Sequence, residues 1–200
     1  SWENCALLTN SLKPYACCRH THAADYCAQL LRGEHRLEPE HITRIVDHTY
    51  QVAVNTVDNP EPSTPYGYKF SGQYCTAAML VYGHLGESAF TPEATSDPRV
   101  RRLMDKITLV CDPELEASYQ ADRNRWAHRL EVTLEDGRVL TRQVEYPYGD
   151  FNNPFTWAYE HEKFHTLADG VLGPDRVAAL VERLPHLEEL DDINRLFEGL

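Results

Sequence analysis

The apolar positions in the first half of the chain recur mainly at helical spacing. They predict a short helix over 21–31, closed by Gly33, and a second helix that begins after Ser71, a residue type that often caps helix N-termini. The apolar face of the second helix consists of Tyr74, Ala77, Ala78, Val81 and Leu85. A third helix is predicted to begin at Asp97, because the proline after it favours a first helical turn.

Elsewhere apolar and polar residues alternate, which indicates half-buried strands. The first such strand is predicted within 42–57. Its alternating residues are Tyr50, Val52 and Val54. Three more strands are predicted over 106–111, 127–134 and 138–146. The last two flank Asp136–Gly137, a dipeptide that is typical of a tight hairpin turn.

Strands and helices therefore fall into separate blocks along the chain. This order is typical of an α+β fold in which helices flank a largely antiparallel sheet. We expect one α+β domain over 1–154. The remainder, 155–200, predicts two or three helices with breaks at Gly173–Pro174 and Pro185, and this helical tail is expected to belong to a different packing unit.

The net charge of the chain argues against two classes of binding partner. The formal charge is −12, whereas nucleic acids and anionic membrane surfaces attract basic proteins, so neither is expected to bind. No apolar run approaches the ~20 residues of a membrane-spanning helix, and the first residues lack the pattern of a signal peptide. The six cysteines are irregularly spaced, which favours a reduced cytoplasmic protein over a disulfide framework.

One segment departs from the acidic character of the chain. Lys13, Arg19, His20 and His22 lie close together, and 4–24 contains no Asp or Glu. Cationic and imidazole side chains could hold carboxylates and move protons, so this stretch is a candidate anion site. The alternative is a solvated loop with surface charges and half-buried histidines.

Two other chemistries use residues of the same types. Cys17 and Cys18 with the two histidines could bind a metal, but their spacing fits no zinc pattern. His161, Glu162 and His165 match the His-Glu-x-x-His pattern of zinc proteases, but no third ligand is evident. We therefore expect no metal. A cysteine nucleophile beside a histidine is the last alternative, although free cysteines are more often buried.

Five blocks of this sequence are similar, in the same order, to blocks of the MmgE/PrpD family. They are LKPYACCRHTHAAD (12–25), FSGQYCTAAMLVYG (70–83), DPRVRRLMDKITLVCDPEL (97–115), LEDGRVLTRQVEYPYGDFNNP (134–154) and LEELDDINRLF (187–197). The first block resembles the Lys-Pro-Tyr and His-x-Ala segment of the family, and the second resembles its Ser-x-x-Tyr helix. Together the blocks cover nearly the whole chain.

The resemblance implies a fold and an activity class. Members include 2-methylcitrate dehydratase, cis-aconitate decarboxylase and iminodisuccinate epimerase, which act on small di- and tricarboxylates without a metal or organic cofactor. They combine a large helical domain with a smaller α+β lid domain, place the active site between the two, and commonly form homodimers. By this resemblance, 1–154 is the lid and 155–200 is a tail that returns to a helical domain absent from this chain.

The resemblance also implies roles for particular residues. Lys13, His22 and Tyr74 match catalytic positions, although a tyrosine on an apolar helix face is usually a core residue. Lys13, Arg19, His20 and Cys18 are the expected substrate-binding group. Cys18 stands where the decarboxylase branch has a histidine, which favours dehydration or epimerisation.

We therefore expect part of a cofactor-independent lyase for a small di- or tricarboxylate, of the 2-methylcitrate dehydratase type. A separate helical-domain polypeptide of the same family is the expected partner, and such complexes are expected to form dimers. An epimerase or a decarboxylase of the same family is the alternative enzyme. From another class, the chain could be a non-catalytic subunit that binds a helical partner.

Overall fold

Residues 5–199 are described by the computed structural model, and within them one sheet of four strands is present. The strands are β1 (Ile42–Thr49), β2 (Ile107–Cys111), β3 (His128–Leu134) and β4 (Val139–Val144). Their order is β2-β1-β3-β4. β1 and β2 are parallel and the other two pairs are antiparallel, so the predicted α+β class with a mainly antiparallel sheet is confirmed.

Helices precede, interrupt and follow the sheet. In chain order they are α1 (His22–His35), α2 (Gln51–Val57), α3 (Pro65–Tyr68), α4 (Gly72–Tyr82), α5 (Pro92–Thr95), α6 (Pro98–Met104), α7 (Pro113–Ala121), α8 (Trp157–Leu172) and α9 (Pro174–Arg183). Short 3-10 turns fill several connections, among them Arg19–Thr21, which leads directly into α1. Contacts divide the chain into one compact unit that ends at Pro154 and another that begins at Phe155.

The core of the first unit lies between the sheet and the helices α1 and α4. Burial alternates along β3, where Leu130 and Val132 point inward and their neighbours are half-buried. α1 contacts β3, β4 and α4, while α4 also contacts β2. The last contact is close at Gly72, where an added Cβ would lie 2.9 Å from the Leu109 Cδ2 atom, so glycine allows this approach of helix to strand.

The strand predicted through Val54 is wrong in its second half. β1 ends at Thr49, and α2 begins at Gln51. The buried residues of this stretch are Tyr50, Ala53 and Val57, which repeat at helical spacing, while Val52 is exposed. The β-branched residues favoured a strand, but the position of the apolar contacts decides the conformation.

Two helices begin at the capping residues that the sequence predicts, and one helix ends later than predicted. The Ser71 hydroxyl accepts a hydrogen bond from the Tyr74 amide, and the Asp97 carboxylate accepts one from the Arg99 amide, so both predicted starts are confirmed. α1 runs past Gly33 to His35, and its chain reverses at Arg36 in the left-handed region with φ of 50°. The predicted end at Gly33 was therefore too early.

The second unit consists of helices and 3-10 turns in the part that the structure describes. α8 and α9 pack on each other, and Val177, Leu180 and Leu196 are buried. The Arg183 guanidinium donates to the carbonyl oxygens of Leu196 and Glu198, at 3.0 and 2.7 Å, which ties the last turn to α9. Between residues 5 and 199, no helix has the length and apolar character needed to cross a bilayer.

Truncation of a buried leucine tests the position of the core. Leu130→Ala should lower the free energy of unfolding by about 2–5 kcal/mol, because the side chain is fully buried between the sheet and the helices. Leu8→Ala removes the same atoms from an exposed position and should change it by less than about 0.5 kcal/mol. Urea unfolding of both variants measures the difference, and equal losses would contradict this core.

Candidate functional site

The backbone of the basic segment is hydrogen-bonded to the two chain segments that flank α4. The Cys18 amide donates to the Lys69 carbonyl, just before α4, at 2.8 Å. The Ala16 amide donates to the Leu85 carbonyl, just after α4, also at 2.8 Å. We call residues 13–22 the strap; this segment crosses the chain on both sides of α4 and enters α1 through the Arg19–Thr21 turn.

Lys13 and His22 meet at one atom of the strap. The Lys13 ammonium donates to the Cys17 carbonyl oxygen at 3.1 Å, and His22 Nε2 lies 3.3 Å from the same oxygen. Lys13 is exposed, whereas His22 is buried and has the edge of the Tyr15 ring against it. The structure thus brings together two predicted site residues, one accessible to a ligand and one behind it.

Arg19 and His20 lie against the indole of Trp126. The Arg19 guanidinium carbon is 4.6 Å from the ring centroid, and the His20 ring stacks on the indole with centroids 4.3 Å apart. His20 Nδ1 is 2.7 Å from the Tyr50 hydroxyl. Burial, followed by the positive charges of His128 and Arg19, lowers the pKa of His20 to about 4. At neutral pH, His20 is therefore an uncharged ring whose Nδ1 is hydrogen-bonded to the Tyr50 hydroxyl.

Arg19 is already paired with an acid. Its guanidinium donates to the carboxylate of Asp150, which is 1% exposed. The same carboxylate accepts hydrogen bonds from the Ser11 hydroxyl and the Asn152 amide, each at 2.9 Å. Asp150 therefore offsets the charge of Arg19, and Lys13 is the cation of the strap that the sequence predicts for binding and the structure leaves exposed.

Cys18 and Tyr74 face the interior. Cys18 is 8% exposed, and burial raises the pKa of its thiol, so it is not a ready nucleophile. Tyr74 is fully buried, donates its hydroxyl proton to the Ala89 carbonyl, and packs its ring against Tyr68 and Phe90. Burial raises the pKa of its phenol. The hydroxyl of Tyr74 is thus bonded away from the carbonyl that Lys13 and His22 share.

Within the described residues, the His-Glu-x-x-His sequence (161–165) does not form a group of three ligand atoms that could hold a metal. His165 Nδ1 lies 3.0 Å from Asp169 of its own helix. Within residues 5–199, three or more potential ligand atoms converge at one place only, formed by Cys17, Asp25 and Cys75.

Sequence reasoning missed the residues that support the strap from other parts of the chain. Trp126 precedes β3, Tyr50 follows β1, and Asp150 lies in the turn-rich segment after β4. The turn-forming sequence Gly149–Asn153 was the available signal for Asp150, because aspartates in such turns commonly accept backbone amides. No local signal joined Trp126 or Tyr50 to the strap.

The environment of His20 predicts a pH dependence of stability. Its pKa in the folded chain, about 4, lies below the ordinary value of about 6.5. The unfolded chain therefore binds a proton more readily, and the His20 contribution to stability is complete above about pH 6.5 and is lost as the pH falls towards 4. His20→Gln should flatten the dependence of the unfolding free energy on pH in this window.

Exposed His35 is the matched control, since His35→Gln should leave the same dependence unchanged. NMR titration of the His20 ring gives the direct measurement. Titration of that ring near pH 6.5 would contradict the burial described.

A known protein family matches most of this chain. The MmgE/PrpD C-terminal domain family matches residues 15–186, so Tyr15 begins the match and Lys13 lies just before it. A mitochondrial 2-methylcitrate dehydratase of Yarrowia lipolytica is 32% identical over 65% of this chain and 26% of its own length. A 2-methylcitrate dehydratase of Cupriavidus necator is 35% identical over 54% of this chain and 23% of its own.

A cis-aconitate decarboxylase of Aspergillus terreus is 28% identical over 96% of this chain and 40% of its own length. The chain therefore spans between about a quarter and two fifths of the curated relatives it matches. The family match covers most of the chain, including the strap from Tyr15 onward, the sheet and α8. The chain thus belongs to the MmgE/PrpD family and carries its C-terminal domain.

Proposed function

We propose that this chain is the lid portion of a cofactor-independent lyase that removes water from a small di- or tricarboxylate, as a 2-methylcitrate dehydratase does. The observation that carries the proposal is the convergence of exposed Lys13 and buried His22 on the Cys17 carbonyl. This convergence occurs in a strap without acidic residues, in a chain whose net charge is −12. A polyanionic substrate would otherwise be repelled by the protein, so a local cation is needed where it binds.

Lys13 has the role of binding a substrate carboxylate. Dehydration begins with removal of a proton next to a carboxylate, and the negative charge that develops is stabilised by a fixed cation nearby. Lys13 is already oriented by the Cys17 carbonyl, and its side chain is exposed. Arg19 and His20, nearer the other end of the strap, are further substrate-binding residues in this proposal, although Asp150 offsets the charge of Arg19 and His20 is neutral.

His22 and Tyr74 have orienting roles in this proposal. Both side chains are buried, and each polar atom with a described partner is bonded to a backbone carbonyl. His22 fixes the carbonyl that positions Lys13, and Tyr74 fixes the segment after α4 through Ala89. The group that removes the substrate proton is therefore expected from outside this chain, in a helical-domain polypeptide of the same family.

The names of two of the relatives favour dehydration. The family resemblance supports the same choice, since it implies that Cys18 stands where the decarboxylase branch has a histidine. Epimerisation uses the same first proton removal and is the alternative reaction. The proposal includes dimers of the complex and a reducing, cytoplasmic location. The latter is supported by the six free thiols, all of which lie in the described part of the chain.

A second candidate function is a non-catalytic subunit that binds a helical partner. Exposed apolar side chains on the second unit favour it, since Val171 is 82% exposed and Phe197 is 59% exposed. Isolated apolar residues of this kind also fit an enzyme subunit. The two functions differ in whether Lys13 is needed for turnover.

Reconstitution tests the proposal. The chain alone should not dehydrate 2-methylcitrate, whereas the chain mixed with its helical-domain polypeptide should do so without added cofactor. In that complex, Lys13→Ala should lower kcat/KM by about 10²-fold or more, because it removes a preorganised cation. Copurification of the two polypeptides should be unchanged.

Arg102→Ala removes an equally exposed cation from α6 and should keep the parent turnover. Turnover by the isolated chain would contradict the need for a helical half. Full turnover by the Lys13→Ala complex would contradict the role of Lys13, and assembly without turnover by the parent complex would favour the non-catalytic subunit.

A further inference from the structure

Three side chains that bind metals well meet inside the first unit. The Sγ atoms of Cys17 and Cys75 and a carboxylate oxygen of Asp25 all lie within 4.8 Å of one another. Their exposed fractions are 4%, 0% and 0%. They come from three separate elements, since Cys17 is in the strap, Asp25 is in the first turn of α1 and Cys75 is in α4.

The spacing of these atoms resembles the edges of a tetrahedral site. Cys17 Sγ is 3.7 Å from Asp25 Oδ2 and 3.3 Å from the hydroxyl oxygen of Thr21, which is itself 2.7 Å from Asp25 Oδ2. Around a zinc ion with Zn–S of about 2.3 Å and Zn–O of about 2.1 Å, neighbouring ligand atoms stand about 3.4–3.8 Å apart. The Cys17–Asp25 distance matches these values, whereas the Thr21 hydroxyl would have to move away from Asp25 to become a ligand.

One carboxylate oxygen of the cluster lacks a partner, whereas the other carboxylate oxygen and both thiols have one. Asp25 Oδ1 is buried and has no hydrogen-bond donor among the described residues. A buried carboxylate oxygen without a donor or a cation is costly, and a metal ion bound at this place would supply the missing partner of Asp25 Oδ1.

We propose that Cys17, Cys75 and Asp25 bind one zinc ion, with the Thr21 hydroxyl or a water molecule in the fourth position. Two thiolates with one carboxylate in a tetrahedral arrangement select zinc over hard cations such as magnesium. On binding, each thiol loses its proton to solvent and the metal takes the place of both protons. The bound ion would join the strap, α1 and α4 at one point.

This site is distinct from the proposed reaction. The proposed metal ligands are buried, whereas the group proposed to bind the substrate carboxylate is the exposed Lys13 ammonium. The two are linked through Cys17, whose thiol would bind the metal and whose carbonyl oxygen positions Lys13 and His22. The metal is therefore assigned a structural role in fixing the strap.

Metal analysis tests the site on the complete chain. Protein purified under reducing conditions with zinc present should contain about one zinc per chain. Cobalt titrated into metal-free protein should produce the charge-transfer absorption of thiolate–cobalt bonds and the intense visible bands of a tetrahedral ion. Cys75→Ser should weaken binding at least ~10-fold and reduce the thiolate absorption, and Asp25→Asn should weaken binding to a similar extent.

Cys27→Ser is the matched control, because Cys27 is a buried cysteine of α1 whose thiol faces the His128 carbonyl instead of the cluster. It should bind zinc and cobalt like the parent. If the ligand variants do not fold, the parent still decides the question, because zinc should raise its Tm and shield Cys17 and Cys75 from alkylation. Each of three results would overturn the proposal: no tightly bound zinc or cobalt, equal binding by the Cys75→Ser and Cys27→Ser variants, or a Cys17–Cys75 disulfide whose reduction restores no metal binding.

Discussion

The attachment of the strap to the segments that flank α4 is the constraint on which the candidate site depends. One backbone hydrogen bond to the segment before α4 and one to the segment after it hold the strap, which bends over 14–17, and the Arg19–Thr21 turn then starts α1. Because this path points the Cys17 carbonyl towards both Lys13 and His22, a single backbone oxygen sets the position of the exposed cation. The chain on both sides of α4 therefore helps to fix the geometry of the strap.

The strap exposes less positive charge than its amino-acid composition indicates. Four cationic or titratable residues stand there in sequence, but the fold pairs Arg19 with Asp150, keeps His20 neutral against Trp126 and buries His22. Of these four residues, Lys13 is the exposed one. An exposed ammonium in an acidic chain is consistent with the proposed role of Lys13 in binding a carboxylate.

Much of the fold could be predicted because its signals are local. Ser71 and Asp97 cap their helices, Asp136–Gly137 turns the hairpin, and alternation on β3 reflects its one buried face. The α2 helix could not be predicted from alternation, since Val52 and Val54 favour a strand and the buried positions become evident only when Tyr50 packs on Tyr119. Local propensity failed there because contacts distant in sequence were stronger.

Only those residues of the candidate site that are close together in sequence could be predicted to meet. Lys13 and His22 are close in sequence, so their convergence follows from one turn of chain. Asp150 and Cys75 reach the strap from distant segments, and no spacing rule joins Cys75 to Cys17. Tyr74 has the helical position that the sequence predicts, yet the direction of its hydroxyl depends on the segment around Ala89.

The most direct test of the central claim is a crystal structure of this chain in complex with the proposed helical-domain polypeptide and a bound tricarboxylate. The account predicts that the Lys13 ammonium lies within about 2.7–3.2 Å of a substrate carboxylate oxygen while the strap keeps its backbone hydrogen bonds to the segments that flank α4. A carboxylate held wholly by other residues, with Lys13 directed into solvent, would contradict it.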